Sequence, residues 1–172
     1  MGSVNPGKRF ETRLKKSMER AGMLAMRIPD KVYWNGSRIA SEETPADFNA
    51  YAVIDGELHC YLIEAKACSS KRVEFSRLKP HQHDALHSFD SMHGDMHGFV
   101  AVNFYDSVSL RAMDVCCMVP ISVWDEYAMG ESKSLNHEKC SNDSRIVICP
   151  KITGAVYDMA GLIGGENGSS GC

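Results

Sequence analysis

The chain has 172 residues, 44% of them apolar and 24% charged, the make-up of one globular domain with room for a sizeable core. It has no run of about 18 apolar residues, which excludes a helical membrane span. Residues 1–16 are polar and basic without an apolar stretch, so no secretory signal is expected and a cytoplasmic location is. The net charge of −3 is unevenly spread: residues 1–33 carry +5, 34–65 carry −5, 66–79 carry +4 and 80–172 carry −7. Two basic blocks around an acidic centre suit a phosphate-binding surface beside a cation site; on charge alone, solvated helix faces explain them equally well.

The first predicted element is a helix over residues 7–25, where Phe10, Leu14, Met18 and Leu24 recur near a 3.6 period and Gly22 falls near the end. Residues 26–46, with Pro29, Asn35-Gly36 and Pro45, predict a short strand and then an exposed loop. Tyr33 and Trp34 in that loop could stack on an opened base or pack at a dimer face. Phe48 to Ile54 and Leu58 to Ala67 predict two strands joined by an Asp55-Gly56 hairpin turn. The second run is nearly all apolar until it ends in Glu64-Ala65-Lys66, and strand alternation puts Glu64 and Lys66 on one face.

Further along, residues 68–79 predict a basic loop and Pro80 opens a helix over 80–93. Phe99 to Phe104 and Val115 to Val119 predict strands, and Pro120 to Met129 a short helix. Residues 131–144 are expected to be a polar insertion, Arg145 to Cys149 a last strand, and 164–172 a flexible Gly/Ser-rich tail after a single domain over 1–163. Helices and strands intermix, which predicts an α/β (α+β) class with a central mixed sheet flanked by helices. The seven cysteines are odd in number and form no C-x-x-C pair, so they are expected as reduced thiols, several of them in the core.

The chemistry concentrates at the hairpin. Asp47 at the mouth of one strand and Glu64 and Lys66 at the end of its partner supply two carboxylates and one ammonium. Mg²⁺ is commonly held by one or two carboxylates together with waters and substrate phosphate, and a neighbouring lysine can offset charge in the transition state. Taken alone, an aspartate, a 16-residue gap and E-x-K are equally what a surface Glu/Lys pair on a strand would give. Five of the seven histidines, His81, His83, His87, His93 and His97, cluster in one stretch and include an i,i+4 pair, His83 and His87, with metal spacing. No cysteine or acid is placed to complete a zinc site there, so exposed or phosphate-facing histidines are expected.

Thr44-Pro45-Ala46-Asp47-Phe48-Asn49-Ala50 followed by Tyr61-Leu62-Ile63-Glu64-Ala65-Lys66 resembles the PD-(D/E)xK nuclease core. With His81-Gln82-His83 opening a helix and Asn5-Pro6-Gly7 leading into a helix that carries Glu11, the chain is more similar to the RecU-type Holliday junction resolvases over roughly residues 5–125. That resemblance implies a restriction-endonuclease-like fold and a homodimeric, metal-dependent endonuclease that resolves four-way junctions, in a bacterial cell or a phage-infected host, with the family's projecting stalk reduced to residues 30–45. It implies Asp47, Glu64, Gln82 and the Ala65 carbonyl at a Mg²⁺ (or Mn²⁺) site, Lys66 as the transition-state stabiliser and Glu11 as a supporting carboxylate. Where the family places a threonine two residues before the aspartate, this chain has Pro45. Lys71, Arg72, Arg77, Lys79 and His81, with Lys8 and Arg9, are expected to bind DNA phosphates.

Overall fold

The computed structural model describes residues 5–34, 36–37, 39–92, 94–105, 114–154 and 156–164, with the backbone alone for 31–34 and 39–41. In chain order the elements are α1 (Pro6–Arg20), β1 (Leu24–Arg27), β2 (Lys31–Trp34), β3 (Ile39–Glu42), β4 (Phe48–Ile54), β5 (Glu57–Cys68) and β6 (Arg72–Glu74). There follow a 3-10 turn at Phe75–Arg77, α2 (Pro80–Asp90), β7 (Met96–Tyr105), β8 (Asp114–Pro120), α3 (Ile121–Met129), β9 (Ser134–Asn136) and α4 (His137–Asn142). The chain then adds β10 (Val147–Ile152), β11 (Val156–Tyr157) and a second 3-10 turn at Ala160–Ile163.

Asp55 and Gly56 both take positive φ, 53° and 89°, and this turn makes the hairpin the sequence predicts, folding β4 back on β5 with Phe48 opposite Ile63 and Ile54 opposite Glu57. That pair supplies the second and third strands of a seven-stranded sheet ordered β1-β4-β5-β7-β8-β10-β11, with β7 at its centre. Its neighbours run antiparallel, except that β5 and β7 run parallel, so the chain must cross from the end of one to the start of the other; α2 makes that crossing. One sheet face is covered by α1, whose Phe10, Leu14 and Met18 pack with Ala50, Tyr61, Ile63, Ala101 and Met118. The other is covered by α2 and α3, where Leu86, Ile121 and Trp124 meet Leu62, Val100, Val102, Cys117 and Val119. The result is a mixed sheet between helical layers, as expected.

Several boundaries differ from expectation. The first helix stops at Arg20, because Gly22 turns the chain at φ +87°; Leu24 is in β1 and 62% exposed, outside the apolar stripe. The stretch read as a strand and an exposed loop forms β1 and then the two-stranded β2–β3 hairpin. The basic segment 68–79 is not a loop throughout, since β6 pairs with β9 and Val73 and Leu78 are buried. Residues 131–144 are likewise no mere insertion: Leu135 and Cys140 belong to the second core. The last strand reaches Ile152, and β11 adds the buried Tyr157. Of the six described cysteines, all free thiols, Cys68, Cys116, Cys117, Cys140 and Cys149 are buried. Cys172, His93 and residues 165–172 of the expected tail lie outside the described residues, as do the side chains of Tyr33 and Trp34. No described helix is long and apolar enough to cross a membrane.

Candidate metal and nucleic-acid site

The β4–β5 register dictates the first contacts. Phe48 lies opposite Ile63, and the Asp47 N–H donates to the Ile63 carbonyl at 3.1 Å, so Asp47 sits beside Glu64 just before β4 begins. Its carboxylate is fixed from the other strand: the Ala65 N–H donates to Asp47 Oδ2 at 2.8 Å. Ala65 and Ala67 pack into the core under α1, which turns Glu64 and Lys66 to the α2 face. There Lys66 Nζ donates to Glu64 Oε1 at 2.6 Å and to Gln82 Oε1 at 3.1 Å, and Gln82 Nε2 donates to Glu64 Oε1 at 2.8 Å. Gln82 is in the first turn of α2, whose N-terminal Pro80 fixes the entry; the Lys79 N–H donates to Gln82 Oε1 at 3.1 Å, orienting the amide. A strand mouth, a strand end and a helix start therefore bring Asp47, Glu64, Lys66 and Gln82 together.

Glu64 is only 3% exposed. Burial, then the Asp47 charge, raises its carboxyl to about 7, against the opposing pull of Lys66 and Gln82. Burial also raises Asp47; the Ala65 N–H holds it down, Glu11 pushes it up, and the charges of Lys66 and Arg27 lower it. Glu64 Oε1 accepts from two side chains, whereas the buried Oε2 has no hydrogen-bond partner. A desolvated carboxylate oxygen without a donor is costly, and a second carboxylate beside it raises the cost. A hard divalent cation relieves both, so these residues fit the metal that the sequence implied: Glu64 Oε2 and the Asp47 carboxylate would hold it, with Gln82 and the Ala65 backbone alongside.

The remaining expected residues are distributed unevenly. Glu11 is ion-paired with Arg27 at 3.1 Å, and its charge reaches Asp47. Arg27, on β1 opposite Phe48, was not singled out in the sequence; only the β1–β4 pairing brings it to the site, and no local pattern signals it. Lys8 joins Glu11, Lys15, Arg27 and Asp30 along an open groove of about 490 Å³, whereas Arg9 turns to a separate cavity of about 70 Å³ with Arg13 and Asp114. Lys79 and His81 lie at 3.9 and 3.0 Å from Glu43, and Arg77 donates to the Ala67 carbonyl at 3.0 Å, so these three flank the start of α2. Lys71 and Arg72 are exposed, but Arg72 lines a different groove with Glu74, Phe75 and Lys133, away from the expected cluster. His83, its side chain 37% exposed, pairs with Asp125 at 2.8 Å; burial lowers its pKa, but the Asp125 and Asp84 carboxylates outweigh that and raise it, and its ring lies 6.1 Å from that of His87.

No family model and no curated protein matches the chain. Among solved structures it is similar to that of Archaeoglobus fulgidus Hjc, a Holliday junction resolvase from an archaeal hyperthermophile. The TM-score is 0.51 over 78% of this chain and 92% of that one, at 18% identity. The fold is restriction-endonuclease-like. At that identity the likeness concerns architecture, the mixed sheet between helical layers; the site rests on the geometry above.

Proposed function

We propose that this protein is a Mg²⁺-dependent endodeoxyribonuclease (Mn²⁺ serving as well) that resolves four-way DNA junctions, of the RecU-like type that its motifs resemble. The observation that carries the reading is the buried, partnerless Glu64 Oε2 next to Asp47, facing a lysine and a glutamine from two other backbone positions. The architecture shared with a junction resolvase supports the choice of substrate.

When bound, the cation would polarise the scissile phosphate and supply a water of lowered pKa. The chain's own groups do the rest. Asp47, pinned by the Ala65 N–H, and Glu64, pinned through Oε1 by Lys66 and Gln82, are preorganised and need no reorientation to receive charge. An ammonium has three donors; Lys66 uses two on Glu64 and Gln82, which leaves the third for a phosphate oxygen as negative charge builds on it. Gln82 sets the lysine's position, and Glu11 and Arg27 tune the charge on Asp47. Junction resolution takes two paired cuts, which suits a twofold dimer. Leu24, Met26, Val53 and Leu58 are exposed, and by strand register they share one sheet face, an apolar strip a second copy would cover.

Matched linear, flap and four-way substrates, incubated with the protein and Mg²⁺, Mn²⁺ or EDTA, test the proposal. Expected is metal-dependent cleavage that favours the four-way substrate and is abolished by Asp47→Ala. Preference for linear duplex would instead indicate a restriction- or repair-type nuclease. DNA binding without cleavage under every metal would indicate a silent module of the same fold.

A further inference from the structure

We propose that His59, Asp95 and His97 form a second metal site, one for a zinc-class transition ion and separate from the carboxylate site. It does not rest on the nuclease reading. The parallel pairing of β5 and β7 sets Tyr61 beside His97, so the two strands begin next to each other and bring His59 and His97 onto one face. That face is the one under which Tyr61 and Ile63 pack with α1, whereas Glu64 and Lys66 look to α2. Five residues of strand at about 3.3 Å each put His59 roughly 17 Å from Glu64, with the sheet between their side chains.

The ligand atoms already converge. His59 Nδ1 and His97 Nε2 lie 3.2 Å apart, and His59 Nδ1 lies 3.9 Å from Asp95 Oδ1. All three ligand atoms fall within 4.8 Å of one another. Tetrahedral zinc with bonds of about 2.0–2.1 Å keeps its ligands about 3.3–3.4 Å apart. The imidazole pair is therefore near the required separation, and the partly exposed Asp95 carboxylate would close in from 3.9 Å on the His59 side and from within 4.8 Å on the His97 side.

The frame holding these atoms is stiff where it must be. The Cys60 N–H donates to the Asp95 carbonyl at 2.8 Å, and the Met96 N–H to the Gly94 carbonyl at 2.9 Å. Gly94 at φ +95° makes the turn that swings Asp95 over the strand starts. The two imidazoles stack at 5.5 Å and 10°, and His97 is backed by the Tyr61 ring at 5.2 Å. A shared N–H···N bond between the imidazoles with a His59–Asp95 ion pair at 3.9 Å is the metal-free alternative, and titration with Zn²⁺ separates the two. Two imidazoles and one carboxylate select Zn²⁺, Ni²⁺ or Cu²⁺ over Mg²⁺ and Ca²⁺, the opposite preference to an all-oxygen site. A bound ion would tie the Gly94–Asp95 turn to both strands.

The test uses the full chain, stripped with EDTA and reduced, in an Asp47→Ala background so that the carboxylate site is silent. Titration with Zn²⁺ should reveal one tight equivalent per chain that a large excess of Mg²⁺ does not displace. Co²⁺ should give visible d–d bands without thiolate charge transfer. His59→Gln and His97→Gln should each weaken Zn²⁺ binding by 100-fold or more, and the milder Asp95→Asn by at least tenfold, with the circular dichroism of the metal-free protein unchanged. With Asp47 restored, His97→Gln should leave DNA cleavage at the parent level. Unchanged zinc affinity in Asp95→Asn, or cobalt spectra dominated by thiolate, would overturn the assignment even if a histidine variant failed to fold.

Discussion

The Lys66 ammonium is held by Glu64 Oε1 and Gln82 Oε1, and it packs against a carboxylate that burial keeps reluctant to ionise. Its proposed work is on developing charge, so Lys66→Ala should lower the cleavage rate by about 10²–10³-fold, the loss typical of a preorganised donor. Junction affinity in a gel-shift assay should stay within about threefold. Equal loss of both would make the lysine a binding residue. Glu64 allows a second prediction. Its carboxyl is raised in the fold, from 4.5 to about 7, so the protonated form is the one the fold favours. That contribution is complete below about pH 4.5 and is lost as pH climbs through 7. Metal-free wild type should therefore lose stability between about pH 5 and about pH 8 relative to Glu64→Gln, by on the order of 3 kcal/mol at most. Urea melts of both proteins at the two pH values measure it, and parallel pH dependences would contradict it. Divalent cation needs the ionised carboxylate, so metal-induced stabilisation should grow over the same interval.

Among the elements, those built from local patterns were legible. Asp55-Gly56 named the hairpin, alternation along Glu64-Ala65-Lys66 named the face, and Pro80 named the start of α2. What escaped was whatever depended on distant pairing. β6 and β9 join residues about sixty apart, so neither three-residue strand leaves a period of its own, and Leu135 and Cys140 look like strays in a polar run until they are seen in the core. Arg27 reaches the site only through β1, and His59 meets Asp95 and His97 only through the parallel β5–β7 register. The helical stripe from Phe10 ran on to Leu24 because periodicity alone carries no stop beyond Gly22. Element packing gives a third prediction at Gly98, on β7 beneath α2. A Cβ there would stand 2.5 Å from the Leu86 carbonyl oxygen and 3.2 Å from Ile121 Cγ2. The first neighbour is backbone and cannot rotate away, so Gly98→Ala must push α2 outward. A loss of about 1–3 kcal/mol is expected in denaturant melts. Because α2 carries Gln82, cleavage measured well below the melting temperature should fall too. Full activity with lowered stability would mean that Gln82 tolerates the shift.

For the molecule as a whole, a net charge of −3 conceals a basic rim at one end of the sheet. Arg77, Lys79 and His81 flank the start of α2, whose first turn also supplies Gln82, so under the proposed function phosphates held by that rim would lie beside Glu64 and Asp47. Arg72 is as basic in sequence but opens onto the groove beside Lys133. Position alone gives Lys79 and Arg72 different expectations as phosphate contacts. If the duplex lies along the rim, about four phosphate contacts would make junction affinity fall roughly 100-fold between about 50 and 200 mM salt. Lys79→Ala should reduce the slope of log affinity against log salt by about one and leave the preference for four-way over linear substrate intact. Arg72→Ala should leave the slope where it was. Filter-binding titrations across the salt series distinguish these outcomes, and an equal effect of both substitutions would place the DNA across the β6–β9 groove instead. Since a phosphate contact steers every sequence alike, the proposed preference for branched DNA would come from shape, from how two copies joined along the β1–β4–β5 face would space their sites. Cleavage of the four-way substrate should therefore fall faster than linearly on dilution, whereas nicking of linear DNA should not.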